Sequence, residues 1–206
     1  MACDLTLGRK EPCKDSVGGI KNIYFVDFGK LGVITYESGL DTIDNLTGTT
    51  IGGSANSLTA FKYELKGNSS LEQTVTATRE NGTVFYEQTL NITLKKLSAI
   101  DNIQLKLLAY GRPHVAVEDY NGNVMMMGLE NGADVSGGTI VTGAAMGDLS
   151  GYTLTLSGTE KQPANFFKIT QLPTVVDYPF TVQDFPGLDG TILILSLIHI
   201  SEPTRP

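Results

Sequence analysis

The sequence predicts a mainly β chain, a single-domain β-sandwich or barrel with one flanking α-helix. Three observations carry that prediction. Apolar and polar residues alternate over runs of strand length, Asn-Gly pairs fall between those runs where hairpins turn, and one stretch, about 98–109, repeats its apolar residues at helical spacing. The composition agrees: 23 glycines, abundant Thr, Val and Ile, and no Trp suit short strands and tight turns better than a helical bundle. At 206 residues the chain is long enough to bury one sizeable core.

Residues 1–19 read as loop, ending at Gly18-Gly19. Ile20 to Phe28 (IKNIYFVDF) is a β-branched and aromatic run broken by Gly29 and Gly32, with Val33 to Tyr36 as a short partner strand. Residues 38–57, rich in Gly, Ser, Thr, Asn and Asp, read as a long mobile loop or an excursion that orders only on assembly. Leu58 to Leu65 and Leu71 to Thr78 follow as strands, and Asn81-Gly82 joins the second to Thr83 to Leu94. There Leu90, Ile92 and Leu94 alternate with Thr89, Asn91 and Thr93, so one face is buried and the other wet. A strand of that length extends across a sheet or reaches a neighbour.

Ser98 is the expected N-cap of the helix, with Asp101 at its third position and Gly111 and Pro113 at its end. Ile100, Ile103, Leu107 and Leu108 form the stripe expected to lie on a sheet. Val115 to Glu118 and Val124 to Leu129 then flank a turn at 119–123, where Asn121-Gly122 marks a hairpin; Asn131-Gly132 starts the next turn. A Gly-rich connection, 135–151, leads into Tyr152 to Ser157, giving eight or nine strands in all.

The domain is expected to occupy residues 1–194. The apolar run Ile192 to Ile200 is shorter than the roughly 20 residues that span a bilayer, so no membrane partner is expected. Leu195 to Arg205 (LSLIHISEPTR) reads as a sequencing adapter translated in one frame, which marks 195–206 as foreign to the native chain. Setting that segment aside removes one Glu and one Arg, leaves the formal charge at −7, and leaves His114 as the one histidine.

An acidic chain with no basic run and no zinc spacing repels duplex nucleic acid, which argues against sequence-specific binding. The start, MACDLTLGRKEPCKDS, lacks the apolar stretch of a signal peptide, so secretion is not expected and the glycosylation patterns at Asn45, Asn68 and Asn91 read as coincidence. Cys3 and Cys13 could pair, but free, buried thiols of a reducing compartment are the favoured reading.

Material for catalysis is poor, and the chain is read as a non-enzyme with no catalytic, cofactor-binding or metal site. A Ser/His/Asp triad would have to use His114, but no G-x-S-x-G elbow exists, and a histidine beside Pro113 at a strand start reads as structural. Asp119, Asn121 and Asn123 have the spacing of calcium-loop ligands, with Glu130 further on, but Gly122 falls out of phase and a tight polar hairpin explains the turn. Glu118 and Asp119 point to opposite faces of a strand. Residues 137–151 lack the Gly-Lys-Ser/Thr ending of a phosphate loop. Met125, Met126 and Met127 read as adaptable apolar contacts, buried by the chain itself or by a neighbouring subunit.

Three stretches do carry a resemblance: NGTVFYEQTLNITLKKL from Asn81, LLAYGRPHVAVEDYNGNVMMMGLENGADV from Leu107, and TGAAMGDLSGYTLTLSGTE from Thr142. With the opening C-D-L-T-x-G-R-x-x-P-C-K-D-S-V-G-G-I-K, they resemble tail-tube-like virion structural proteins of phages and prophages of gut bacteria, over most of residues 1–170. The resemblance implies a tail-tube-like fold and self-assembly into a homo-oligomeric ring, a hexamer in that group. It also implies stacking into a channel that DNA passes without sequence-specific binding, contact with other tail or neck proteins, and a place in the virion after assembly in the host bacterial cytoplasm. The hairpin Leu71 to Leu94 and the 38–57 segment are the expected contact elements. The alternative is a secreted or surface β-sandwich binding module, an adhesin or carbohydrate-recognition domain. The missing signal peptide, the missing Trp and the lack of an aromatic cluster for sugars to stack on weigh against it.

Overall fold

A computed structural model describes residues 8–9, 11, 13–37, 42–46, 50–51, 54–55, 59–167 and 174–176. Cys3 and the adapter-like segment 195–206 lie outside them. The described residues form fourteen strands and one helix, most of them in two sheets.

The larger sheet is built around β1 (Ile20–Val26), which pairs antiparallel with β6 (Thr59–Glu64) on one side and β9 (His114–Asp119) on the other. β10 (Val124–Met127) and β13 (Asn165–Phe166) extend it beyond β9, and β14 (Thr174–Val176) lies parallel to β6 at the opposite edge. The near-continuous apolar sequence of β1 has a direct cause: both faces of this sheet are covered, so almost every side chain is buried. Ile23, Phe25, Val115, Val117 and Met127 share one cluster with Leu90, Ile92 and Leu156 of the second sheet. Tyr24, Val26, Ala116 and Met126, on the other face, are covered by Leu31, Ile43 and Phe167. At about 25 cal/mol per Å² of apolar surface, a two-sided central sheet is where most of the hydrophobic stabilisation is concentrated.

The second sheet has the order β11 (Asp134–Val141), β12 (Gly151–Glu160), β8 (Thr83–Lys95), β7 (Ser70–Thr78), all antiparallel. Two small hairpins complete the strands: β2 (Ile34–Tyr36) with β3 (Ile43–Leu46), and β4 (Thr50–Ile51) with β5 (Ser54–Ala55). Each main sheet has two ends and neither closes on itself, so the barrel half of the expectation gives way to two open sheets joined by a shared core.

Several finer expectations are corrected. β2 pairs with β3 rather than β1, because the chain folds back within the stretch expected to be a mobile loop; the described parts of 38–57 include β3, β4 and β5. The Gly-rich connection begins as a full strand: β11 pairs with β12 from Asp134↔Ser157 to Val141↔Gly151. Its glycines misled because Gly138 fills a place where a Cβ would lie 2.6 Å from the Thr153 carbonyl oxygen.

The helix α1 (Ala99–Tyr110) begins where expected, with the Ser98 hydroxyl accepting the Ile100 N–H at 3.2 Å. The buried face differs from the expected stripe. Leu105 is 7% exposed and Leu108 packs on the core between the sheets, whereas Ile103 and Leu107 are 59% and 60% exposed. The helix carries two apolar stripes about half a turn apart. Its entry is fixed by Tyr152, whose hydroxyl donates to the Ser98 carbonyl and accepts the Ser98 N–H, and this turns the Leu105 and Leu108 side inward.

Candidate assembly surface

The polar groups singled out by the sequence are occupied in holding turns. His114 is buried at the start of β9: its Nδ1 lies 2.6 Å from the Gly128 carbonyl oxygen and its Nε2 accepts the Gly29 N–H at 3.0 Å. Those partners select the neutral tautomer with the proton on Nδ1. The ring stacks on Phe28, over whose other contact, the Arg112 guanidinium, the centroid distance is 3.9 Å. Burial pushes the His114 pKa below its ordinary value, opposed by the Gly128 hydrogen bond and helped by the Arg112 charge.

In the 119–123 turn, Asp119 Oδ1 accepts the backbone N–H groups of Asn121 (2.9 Å) and Asn123 (2.7 Å), and Oδ2 accepts both side-chain amides. Burial alone would raise its pKa, but these four donors hold it below the usual carboxylate range. Asn121 also pairs with both backbone groups of Val17, tying the N-terminal segment to the hairpin. Glu118, on the same strand, accepts from Asn22 (2.7 Å), Tyr24 (2.9 Å) and Lys21 (3.2 Å), donors that outweigh its burial and lower its pKa. Glu130 lies elsewhere, in an exposed 3.5 Å ion pair with Lys161. The methionines divide between faces: Met126 and Met127 are buried within the chain and Met125 partly so. Cys13 is a free thiol and exposed, which corrects the expectation that it is buried.

Several buried polar residues went unnoticed in the sequence, Gln88 and Glu160 among them. Gln88 accepts the Gly128 N–H at 2.9 Å, and Glu160 Oε1 accepts the N–H groups of Glu130 (3.0 Å) and Asn131 (2.8 Å), while its Oε2 is buried without a hydrogen-bond partner. Burial raises the Glu160 pKa despite those donors. The one available signal was parity: Gln88 occupies the same face of β8 as Leu90 and Ile92.

Among the described residues, β7 and β11 of the four-stranded sheet each have one edge with no strand beside it. β11 is blunted by a bulge between Val135 and Gly137. β7 has no such protection: nine residues in unbroken register from Ser70↔Asn91 to Thr78↔Thr83, without Pro, Lys or a bulge. β8 also overruns its other neighbour, since β12 ends opposite Tyr86. The projecting part of the hairpin leaves Val75 and Val84 57% and 54% exposed, although they share the face that is buried further along the strands.

The outer face of this sheet is a lattice of hydroxyl and amide groups. Thr139 and Thr153 lie Oγ1 to Oγ1 at 2.6 Å, and Thr155 donates to the Asn91 side-chain oxygen at 2.9 Å. Glu72 and Glu87 bring negative charge to this face, and Lys95 brings a cation only at its far end.

No family model, curated protein or solved structure matches this chain.

Proposed function

We propose that this chain is a virion structural protein, a tail-tube or tube-like ring subunit that assembles with copies of itself into a channel for DNA. The observation that carries the reading is the β7 edge, which among the described residues has no strand beside it and no Pro, Lys or bulge to blunt it. Monomeric β proteins blunt long edge strands because a row of free N–H and C=O groups recruits other strands. A regular nine-residue edge is suited to pairing with another subunit, and a closed ring removes every such edge. The resemblance of 81–160 to tail-tube-like proteins supplies the ring and the virion context. The outer face of the same sheet suits a channel wall, because hydroxyls and carboxylates give DNA phosphates few cations to grip. The mechanism is mechanical rather than chemical: ring closure hides the edges, and stacked rings enclose a lumen that guides without binding.

The test is the assembly state of the purified 206-residue chain. Rings by negative-stain electron microscopy, lost on replacing Thr74 and Thr76 of β7 by proline, are the expected result. A chain that sediments as a monomer up to millimolar concentration contradicts the proposal, and glycan binding by such a monomer would favour the adhesin alternative.

A further inference from the structure

Asparagine followed by glycine can modify itself. The glycine nitrogen, giving up its proton, attacks the asparagine Cγ; a C–N bond forms, the side-chain nitrogen leaves with that proton as ammonia, and a cyclic imide results. Water then opens the imide at either carbonyl, to aspartate or to isoaspartate, so amide and water become carboxylate and ammonium. Glycine favours the step because no Cβ shields its nitrogen and its backbone is free to follow. The chain has three such pairs, Asn81-Gly82, Asn121-Gly122 and Asn131-Gly132, and each lies between two strands.

The fold ties down two of the three. Asn121 Oδ1 accepts the Val17 N–H at 2.9 Å, and its Nδ2 donates to the Val17 carbonyl at 2.8 Å and to Asp119 Oδ2 at 3.1 Å. Asn131 donates from Nδ2 to the Thr159 carbonyl at 2.8 Å, and its own N–H is held by Glu160. Gly132 beside it is buried, with no room even for a Cβ against the Arg112 carbonyl oxygen. Neither side chain can swing onto the following nitrogen without first breaking these contacts. Asn81 is different. Asn81 and Gly82 are both exposed, a Cβ placed on Gly82 would meet nothing within 4 Å, and the Asn81 side chain makes no hydrogen bond among the described residues. Across the turn, the Gly82 N–H reaches the Arg79 carbonyl at 3.4 Å, long for an N–H···O bond.

The geometry points to Asn81-Gly82 as a spontaneous modification site, where the Gly82 nitrogen and water convert the Asn81 amide to aspartate or isoaspartate while Asn121 and Asn131 are preserved. The fold makes the selection, because the unfolded chain offers all three pairs alike and local opening governs a reaction that needs a rearranged backbone. Each conversion adds about 1 Da and a negative charge next to Glu80. The isoaspartate form also puts an extra main-chain carbon between β7 and β8, which works against the Thr78↔Thr83 pairing at the end of the β7 edge. The inference stands apart from the ring-subunit reading, since it concerns the folded chain whether or not copies assemble.

Peptide mass spectrometry of the full chain, sampled during incubation in warm, mildly alkaline buffer, tests it. In the folded chain Asn81 should convert at least about tenfold faster than Asn121 or Asn131, and in concentrated urea the three rates should draw together. The product at Asn81 should include isoaspartate, the mark of the imide path. Gly82→Ala should slow conversion at Asn81 at least about tenfold and leave the other two sites unchanged, because the added methyl group shields the attacking nitrogen. Equal rates at the three sites of the folded chain overturn the inference. So does a lead of Asn81 that persists undiminished in urea, since the neighbouring residues rather than the fold would then set it. Aspartate without isoaspartate, or an unchanged rate in a Gly82→Ala chain that folds by circular dichroism, removes Gly82 as the attacking group and overturns it equally. Should Gly82→Ala misfold, the isoaspartate product and the comparison with urea decide.

Discussion

Two buried ionisable residues hold the 128–133 turn from opposite sides, and their linkage to pH has opposite signs. Folding depresses the His114 pKa from its usual 6.5, so the unfolded chain takes up the proton first. The stability due to neutral His114 is therefore present above 6.5 and lost as pH falls through the depressed value. Folding raises the Glu160 pKa from 4.5, so its contribution is fully present below 4.5 and is lost as pH rises through the raised value. Urea midpoints measured between about pH 5 and 8 should reveal both: His114→Gln removes part of the acid-side loss, and Glu160→Gln gains on wild type as pH rises. A wild-type and a His114→Gln profile of identical shape would contradict the first assignment. The same turn depends on Gly132, which has φ +79° and a Cβ position 2.5 Å from the Arg112 carbonyl oxygen. Gly132→Ala should cost about 2–4 kcal/mol in urea unfolding, since both backbone and space forbid the methyl group.

At the scale of elements, the helix separates what periodicity can tell from what it cannot. Its cap, length and end were legible because Ser98, Asp101 and Gly111 act locally, through the chain's own N–H and C=O groups. Its buried face was not, because Ile103 and Leu107 are as apolar as Leu105 and Leu108, and the choice between stripes is made by the contact of Tyr152 with Ser98. Leu105→Ala should cost about 2–3 kcal/mol. Leu107→Ala should change stability by no more than about 0.5 kcal/mol, and thermal melts of the two variants compare them directly. The hairpins at Asn81-Gly82 and Asn121-Gly122 were legible for the same local reason: Gly82 and Gly122 have φ of +61° and +82°, which glycine adopts without strain. β11 was hidden by its glycines, and β3 by a polar segment that forms a strand only because β2 lies beside it.

Across the whole molecule, the β class and the single helix followed from alternation and turn chemistry, whereas the division into two sheets did not. β6 and β7 are neighbours in sequence yet belong to different sheets, a choice made by long-range pairing with β1 and β8 that no local pattern encodes. The candidate surface was partly legible. The long β7–β8 hairpin could be read from its alternating residues, but that β7 is an edge strand among the described residues is visible only once the strand order is known. That edge carries the account of the molecule as an assembling subunit, and the most direct test is its state of association. Sedimentation velocity and negative-stain microscopy of the wild-type chain across a concentration series should show closed rings with a central channel, and Thr74→Pro with Thr76→Pro should leave folded monomers. A wild-type chain that stays monomeric throughout, or rings that persist with both prolines in β7, would contradict the account.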